Sequence, residues 1–140
     1  MKLLTLEGAA ALFAGLAELD HVHHEALEKA AIVVEEQAKA FIGTYDAKPT
    51  WQPLAASTLE RKGADTPLLE TGELRDSIQH VADHHEAHIG SNNDKAVWHE
   101  LGTSKIPARP FLEPALREHT EKILEIIGLH VVGKLSGTER

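Results

Sequence analysis

From Asp20 to Tyr45 the apolar residues recur in steps of three and four: Val22, Ala26, Leu27, Ala30, Val34, Ala38, Phe41 and Ile42. That spacing puts them on one face of a helix. Glu25, Glu28, Lys29, Glu35, Glu36 and Lys39 fall mostly on the other face, and Asp20 suits the N-cap position. A helix of this length spans about 39 Å. That is long for a chain of 140 residues, so part of it is expected to protrude or to pack on a neighbour. Ahead of it, Lys2 to Leu6 fits a short strand. Glu7 to Leu19 fits a helix with Ala10, Phe13, Leu16 and Ala17 on one side, weakened by Gly8 and Gly15.

After the long helix the periods shorten. Asp46 to Pro53 is a loop. Leu54 to Arg61 reads as a short helix ended by Gly63, and Thr71 can cap another over Gly72 to Ser77. Ile78 to Val81 and Ala87 to Ile89 read as two strands of a hairpin with a polar turn near Asp83. Gly90 to Asp94 is a turn cluster. Ala96 to Leu101 makes a helical turn stopped by Gly102, and Thr103 to Pro110 is a proline-bearing loop. The last helix begins between Phe111 and Pro114, because proline is tolerated only in a first turn. It buries Leu116, Ile123, Ile126 and Ile127 and is expected to stop at Gly128, with Leu129 to Val132 adding an edge strand. The length suits one domain over residues 1–140, with 134–140 a flexible tail.

Charge and composition narrow the function. The formal net charge is −8. The excess of acid lies before residue 93, the remainder is balanced, and no segment is basic. The electrostatic footprint of tight duplex binding is therefore missing. The absence of cysteine excludes disulfides and thiolate metal sites. No stretch reaches the roughly 18 apolar residues of a membrane span. Met1 to Leu4 and the apolar run Ala9 to Ala14, flanked by Glu7 and Glu18, read as mature protein and not as a signal peptide.

Catalytic and metal chemistry find little support. His21, His23 and His24 cluster, as do His84, His85 and His88. A solvated helix face and a polar turn explain both clusters more simply than a metal site. His99-Glu100 opens like a zinc-protease helix, but Thr103 stands where the second histidine is required. None of Ser57, Ser77, Ser91, Ser104 and Ser136 sits in a nucleophile elbow, and no glycine loop is built to cradle phosphate. No catalytic, cofactor-binding or metal-binding residue is assigned, and the chain is expected not to be an enzyme.

Three stretches carry more information. The first runs Trp51-Gln-Pro-Leu54, Ser57-Thr58-Leu59 and Arg61-Lys62-Gly63. The second is Pro67-Leu-Leu69-Glu-Thr71-Gly72-Glu-Leu74-Arg75-Asp-Ser77-Ile78. The third is Trp98-His99-Glu100-Leu101-Gly102-Thr103 followed by Ile106-Pro107-Ala108-Arg109-Pro110-Phe111-Leu112. Trp51 can anchor a loop, and Gly72 and Gly102 permit tight turns. Pro107 and Pro110 stiffen the segment holding Arg109. That guanidinium can grip a carboxylate, such as Glu100 or an acid of another subunit.

In this order and spacing the stretches resemble the phage virion morphogenesis family, which includes tail-completion proteins of contractile-tailed, Mu-like phages. The third is also similar to the neck or tail-component family of siphophages. The resemblance runs from about Thr5 to Ile127, with Ala96-Val97-Trp98 where relatives often carry Tyr-Ala ahead of the histidine. It implies an α+β fold, with a long helix packed on a small antiparallel sheet and a C-terminal helix. It implies a homo-oligomeric ring, of six subunits, at the head–tail junction or the head-proximal end of the tail. It implies no cofactor and no catalytic residue.

On that footing the expected partners are further copies of the chain and neighbouring neck and tail-tube proteins, with no membrane. DNA would pass through the lumen without specific binding, since many copies at −8 each repel it. The expected location is the virion tail or neck, assembled in the host bacterial cytoplasm. The residues expected to serve assembly are Trp51, Leu69, Gly72, Leu74, Trp98, His99, Glu100, Gly102, Thr103, Pro107, Arg109, Pro110 and Phe111. The Pro107–Phe111 loop is expected to project as a knob into the next subunit, so that Arg109→Ala or Phe111→Ala would weaken the ring and spare the fold. The competing reading is a monomeric adaptor or binding module acting on another protein.

Overall fold

A computed structural model of the chain describes residues 4–5 and 20–136, with side chains from 24 to 128. Its centre is helix α1, Asp20–Phe41. Ala26, Leu27, Ala30, Val34, Ala38 and Phe41 are buried along it as the periodicity requires, joined by Ala31. Four of these are alanines, so neighbouring elements can approach the helix axis closely. Leu27 and Phe41 each contribute about 1.5–3 kcal/mol by leaving water. The helix stops at Phe41, short of Tyr45, because Gly43 takes φ +93° and its N–H turns to donate to Pro67 O at 2.7 Å. The helix expected over Glu7 to Leu19 lies outside the described residues.

Five further helices follow among the described residues: α2 (Ala56–Lys62), α3 (Glu73–Ser77), α4 (Asp94–Leu101), α5 (Leu112–Glu118) and α6 (Thr120–Ser136). Gly63, at φ +70°, closes α2 as a left-handed cap. The Asn93 side chain accepts from Lys95 N and starts α4. Strands β1 (Leu4–Thr5), β2 (Ile78–Ala82) and β3 (Ala87–Ser91) form an antiparallel sheet in the order β1-β3-β2. The Asp83 carboxylate accepts from the N–H groups of His85 and Glu86 and shapes the hairpin turn. The architecture is α+β, with α1 packed between this sheet and α5–α6.

The C-terminal expectation needs correction. Gly128 does not end the last helix, and residues 129–132 are helical, not an edge strand. A glycine inside a helix costs only about 1 kcal/mol, and Ile123 and Ile127 are packed in the core on its N-terminal side. The interruption comes earlier, at His119, which closes α5. Its Nε2 meets Gln37 Oε1 of α1 at 2.8 Å. Residues 134–136, placed in a flexible tail by the sequence, belong to α6.

Register decides which hairpin residues face α1. Ile78 pairs with Ser91, His80 with Ile89 and Ala82 with Ala87, so these six share one face. His80 therefore points at the long helix, where Glu28 and Glu35 stand two turns apart. Its Nε2 is 2.7 Å from Glu28 Oε1, and its Nδ1 makes a short contact with Glu35 Oε2. Lys39 donates to Glu35 Oε1 at 2.8 Å and completes the chain of charges. Burial opposes a charged imidazole, but hydrogen bonds and charge from Glu28 and Glu35 outweigh it and raise the His80 pKa. Burial likewise pushes Glu35 up, and Lys39 and His80 overcome it to hold the carboxyl below its usual range.

A raised folded-state pKa means that His80 adds stability that is complete below the unfolded value of about 6.5. That increment is lost as pH rises through the folded value. Glu35 works at the other end, since its increment is present above the unfolded carboxylate value and is lost as pH falls through the depressed one. We expect urea unfolding of the wild type to show stability declining above about pH 6.5, and His80→Gln to remove that decline. An identical alkaline slope in both proteins would show that the clamp is energetically silent.

Candidate assembly surface

The third sequence stretch folds into a corner. Helix α4 ends at Gly102, whose N–H donates to Trp98 O at 2.8 Å. Gly102 has φ +76°, and a Cβ there would lie 2.8 Å from Ala108 N, so the turn admits no side chain. The Thr103 hydroxyl accepts from Lys105 N and Ile106 N, and Thr103 N donates to Ile106 O, which closes the loop. The chain then doubles back, and Arg109 N donates to His99 O at 2.6 Å.

Glu100 and Arg109 hold this corner, by different bonds from those anticipated. Glu100 is only 3% exposed. Its Oε1 accepts from Phe111 N at 3.0 Å and Leu112 N at 2.9 Å, and its Oε2 from Glu113 N at 3.2 Å. These N–H groups start α5 and have no intrahelical acceptor. A carboxylate answers both the orphan donors and the helix dipole. The Arg109 guanidinium is also buried, and it grips carbonyls in place of a carboxylate. Nε and Nη2 donate to Gln52 O at 3.2 and 3.0 Å, and Nη2 reaches Pro53 O at 3.2 Å. Trp51 completes the brace, since its indole Nε1 donates to Pro110 O at 2.9 Å. Two side chains from distant stretches, Arg109 and Trp51, thus fasten the 51–53 loop to the corner.

The knob expectation is overturned at Phe111. Its ring is fully buried in the protomer's own core, together with Leu112 and Trp51. Burying a ring of this size in the core is worth about 1.5–3 kcal/mol over leaving it in water, which favours the inward position. Pro107 and Pro110 are half-buried, and the loop wraps onto the domain.

The second stretch closes the far side of a cleft of about 520 Å³. Pro53 and Thr58 of the first stretch, Leu68 and Gly72 of the second, and His99 and Pro107 of the third all line it. Leu68 sits at φ +65°, an unusual conformation for a residue with a side chain and one that tends to mark functional segments. Four of the 14 basic residues line the cleft, Arg61, Lys95, Lys105 and Arg109, against two of the 22 acids, Glu70 and Glu73. Burial, then Arg109 and Lys95, depress the His99 pKa. Its Nδ1 is buried without a hydrogen-bond partner.

The sequence-derived residues therefore divide. Trp51, Leu74, Glu100, Arg109 and Phe111 are buried and build the frame. Gly72 is buried as well, and Leu69, His99, Gly102, Pro107 and Pro110 are half-buried. Thr103 and Trp98 are exposed. Trp98 is 48% exposed and Leu101, a turn further along α4, is 60% exposed, which leaves an apolar pair facing water. Sequence reasoning missed Lys95 and Lys105 here and did not count Leu101 among the assembly residues, although Lys95 and Leu101 flank Trp98 at helical spacing. It also missed the His80 clamp, whose one signal was the seven-residue separation of Glu28 and Glu35.

Of the histidine clusters, the side chains of His21 and His23 lie outside the described residues, and the others make local contacts. His24 of α1 meets His84 edge-on with centroids 5.3 Å apart, and His88 Nε2 lies 3.0 Å from Glu86. Among the described residues no group of three or more His, Cys, Asp or Glu is placed to hold a metal ion. No described helix is long and apolar enough to cross a membrane.

Comparison with known proteins adds one match. No curated protein and no solved structure matches the chain. The profile of the phage virion morphogenesis family covers residues 13–132, which include all three stretches and the corner they build. The chain belongs to the phage virion morphogenesis family, whose members serve virion structure and assembly.

Proposed function

We propose that the protein is a non-catalytic structural subunit of a tailed-phage particle, assembling with copies of itself into a ring at the head–tail junction or the head-proximal end of the tail. The observation that carries this reading is the convergence of the three stretches on one braced surface. Buried charge and backbone hydrogen bonds hold the surface rigid, and Trp98 and Leu101 are exposed on α4, the helix whose Lys95 and His99 line the cleft. A rigid surface loses little entropy on docking, and exposed aromatic and aliphatic side chains supply the area an interface buries. The net charge of −8 per copy suits a lumen through which DNA passes without adhering. Neck and tail-tube proteins are the neighbours this placement implies.

Light scattering and native mass spectrometry of the purified full chain test the proposal. The expected result is a single closed species at an integer multiple of the 15.3 kDa protomer, six being the expected number. A lone protomer at high concentration would overturn the ring and favour a monomeric adaptor.

A further inference from the structure

We infer that the cationic cleft, with the exposed face of α4 beside it, is the receiving half of a head-to-tail contact, and that the acidic outer face of α6 on a second copy is the half that enters. This rests on the assembly reading above and names its two surfaces. The cleft collects an excess of positive charge in a chain that is acidic overall. Among the described residues neither the Lys95 nor the Lys105 ammonium makes a hydrogen bond or ion pair. On α4, Lys95, Trp98 and Leu101 follow one another at three-residue intervals and share a face. That face therefore offers one cation and two uncovered apolar side chains.

Helix α6 carries the complement. Ile123 and Ile127 are buried in the core, which turns Glu121, Leu124 and Glu125 outward. Leu124 is one of the few large apolar side chains exposed among the described residues. Glu118, at the end of α5, adds a third exposed acid just ahead of Glu121, and Lys122 flanks them. The three acids and Lys122 sum to two negative charges, and the cleft's lining residues sum to two positive charges. No residue of α5 or α6 lines the cleft, so the two surfaces are separate patches. Unlike patches that fit each other make a heterologous contact, the kind that closes into rings. Leu124 would seat against Trp98 and Leu101, with Glu121 and Glu125 facing Lys95 and Lys105.

Charge exchange in the full-length chain tests this. Lys95→Glu with Lys105→Glu should weaken self-association at least roughly tenfold by sedimentation or light scattering, as should Glu121→Lys with Glu125→Lys. All four positions are exposed, so circular dichroism should show both variants folded. Mixing the two variants in equal amounts should restore assembly, because each then offers the surface matched to the other's reversed one. Carbodiimide cross-linking of the wild type should join Lys95 or Lys105 to Glu121 or Glu125 of another copy. If the wild type assembles and both variants assemble equally well, or the mixture restores nothing, this contact is wrong and the ring stands. A wild type that never assembles removes both.

Discussion

Glu100→Ala should destabilise the protein by about 3–5 kcal/mol, a large part of a small domain's stability. The substitution removes one side chain and leaves the N–H groups of Phe111, Leu112 and Glu113 without their acceptor. Each buried orphan donor costs about 1–3 kcal/mol. The site is too enclosed for water to replace the carboxylate at no cost. Glu100→Gln keeps an acceptor oxygen and similar volume, so its loss should be about 1–2 kcal/mol. Urea titration with linear extrapolation gives both values. A loss below about 1 kcal/mol in the alanine variant would mean that α5 begins without help from α4.

The second large effect concerns the core. Phe111→Ala should cost about 3–5 kcal/mol by removing a fully buried ring and leaving a cavity under the corner. Read as a knob, the same residue would be replaceable without harm to the protomer. Burial decides against that. Trp98→Ala should by contrast change stability by only about 0.5 kcal/mol, since its ring is half in water. Thermal unfolding of the two variants side by side separates a core aromatic from a surface one. Equal melting temperatures would contradict the placement of Phe111.

The contrast shows what the sequence could reveal. Helix α1 was legible because a stripe of Ala26, Leu27, Ala30, Val34, Ala38 and Phe41 needs only local periodicity to be recognised. The hairpin was legible through its polar turn at Asp83, and the ends of α2 and α4 through Gly63 and Gly102. The continuation of α6 past Gly128 was not, because a weak local breaker is overridden by packing that only the folded chain contains. The three stretches could be marked as important from their glycines and prolines. Their partners could not. Glu100 meets backbone N–H groups that acquire direction only when α5 forms, and Arg109 meets carbonyls more than fifty residues away. His80 depended on register, since a shift of one residue would have turned it away from Glu28 and Glu35.

The brace at the corner grips main-chain atoms almost throughout. Arg109 holds the carbonyls of Gln52 and Pro53, Trp51 holds that of Pro110, and Glu100 holds amide groups of Phe111, Leu112 and Glu113. A carbonyl is offered by every residue type, and an amide by every type except proline. The side chains at positions such as 52 and 113 are thus free to vary without loosening the joint. A lineage could change which neighbour it fits by altering outward-facing groups alone, while the scaffold beneath keeps its shape.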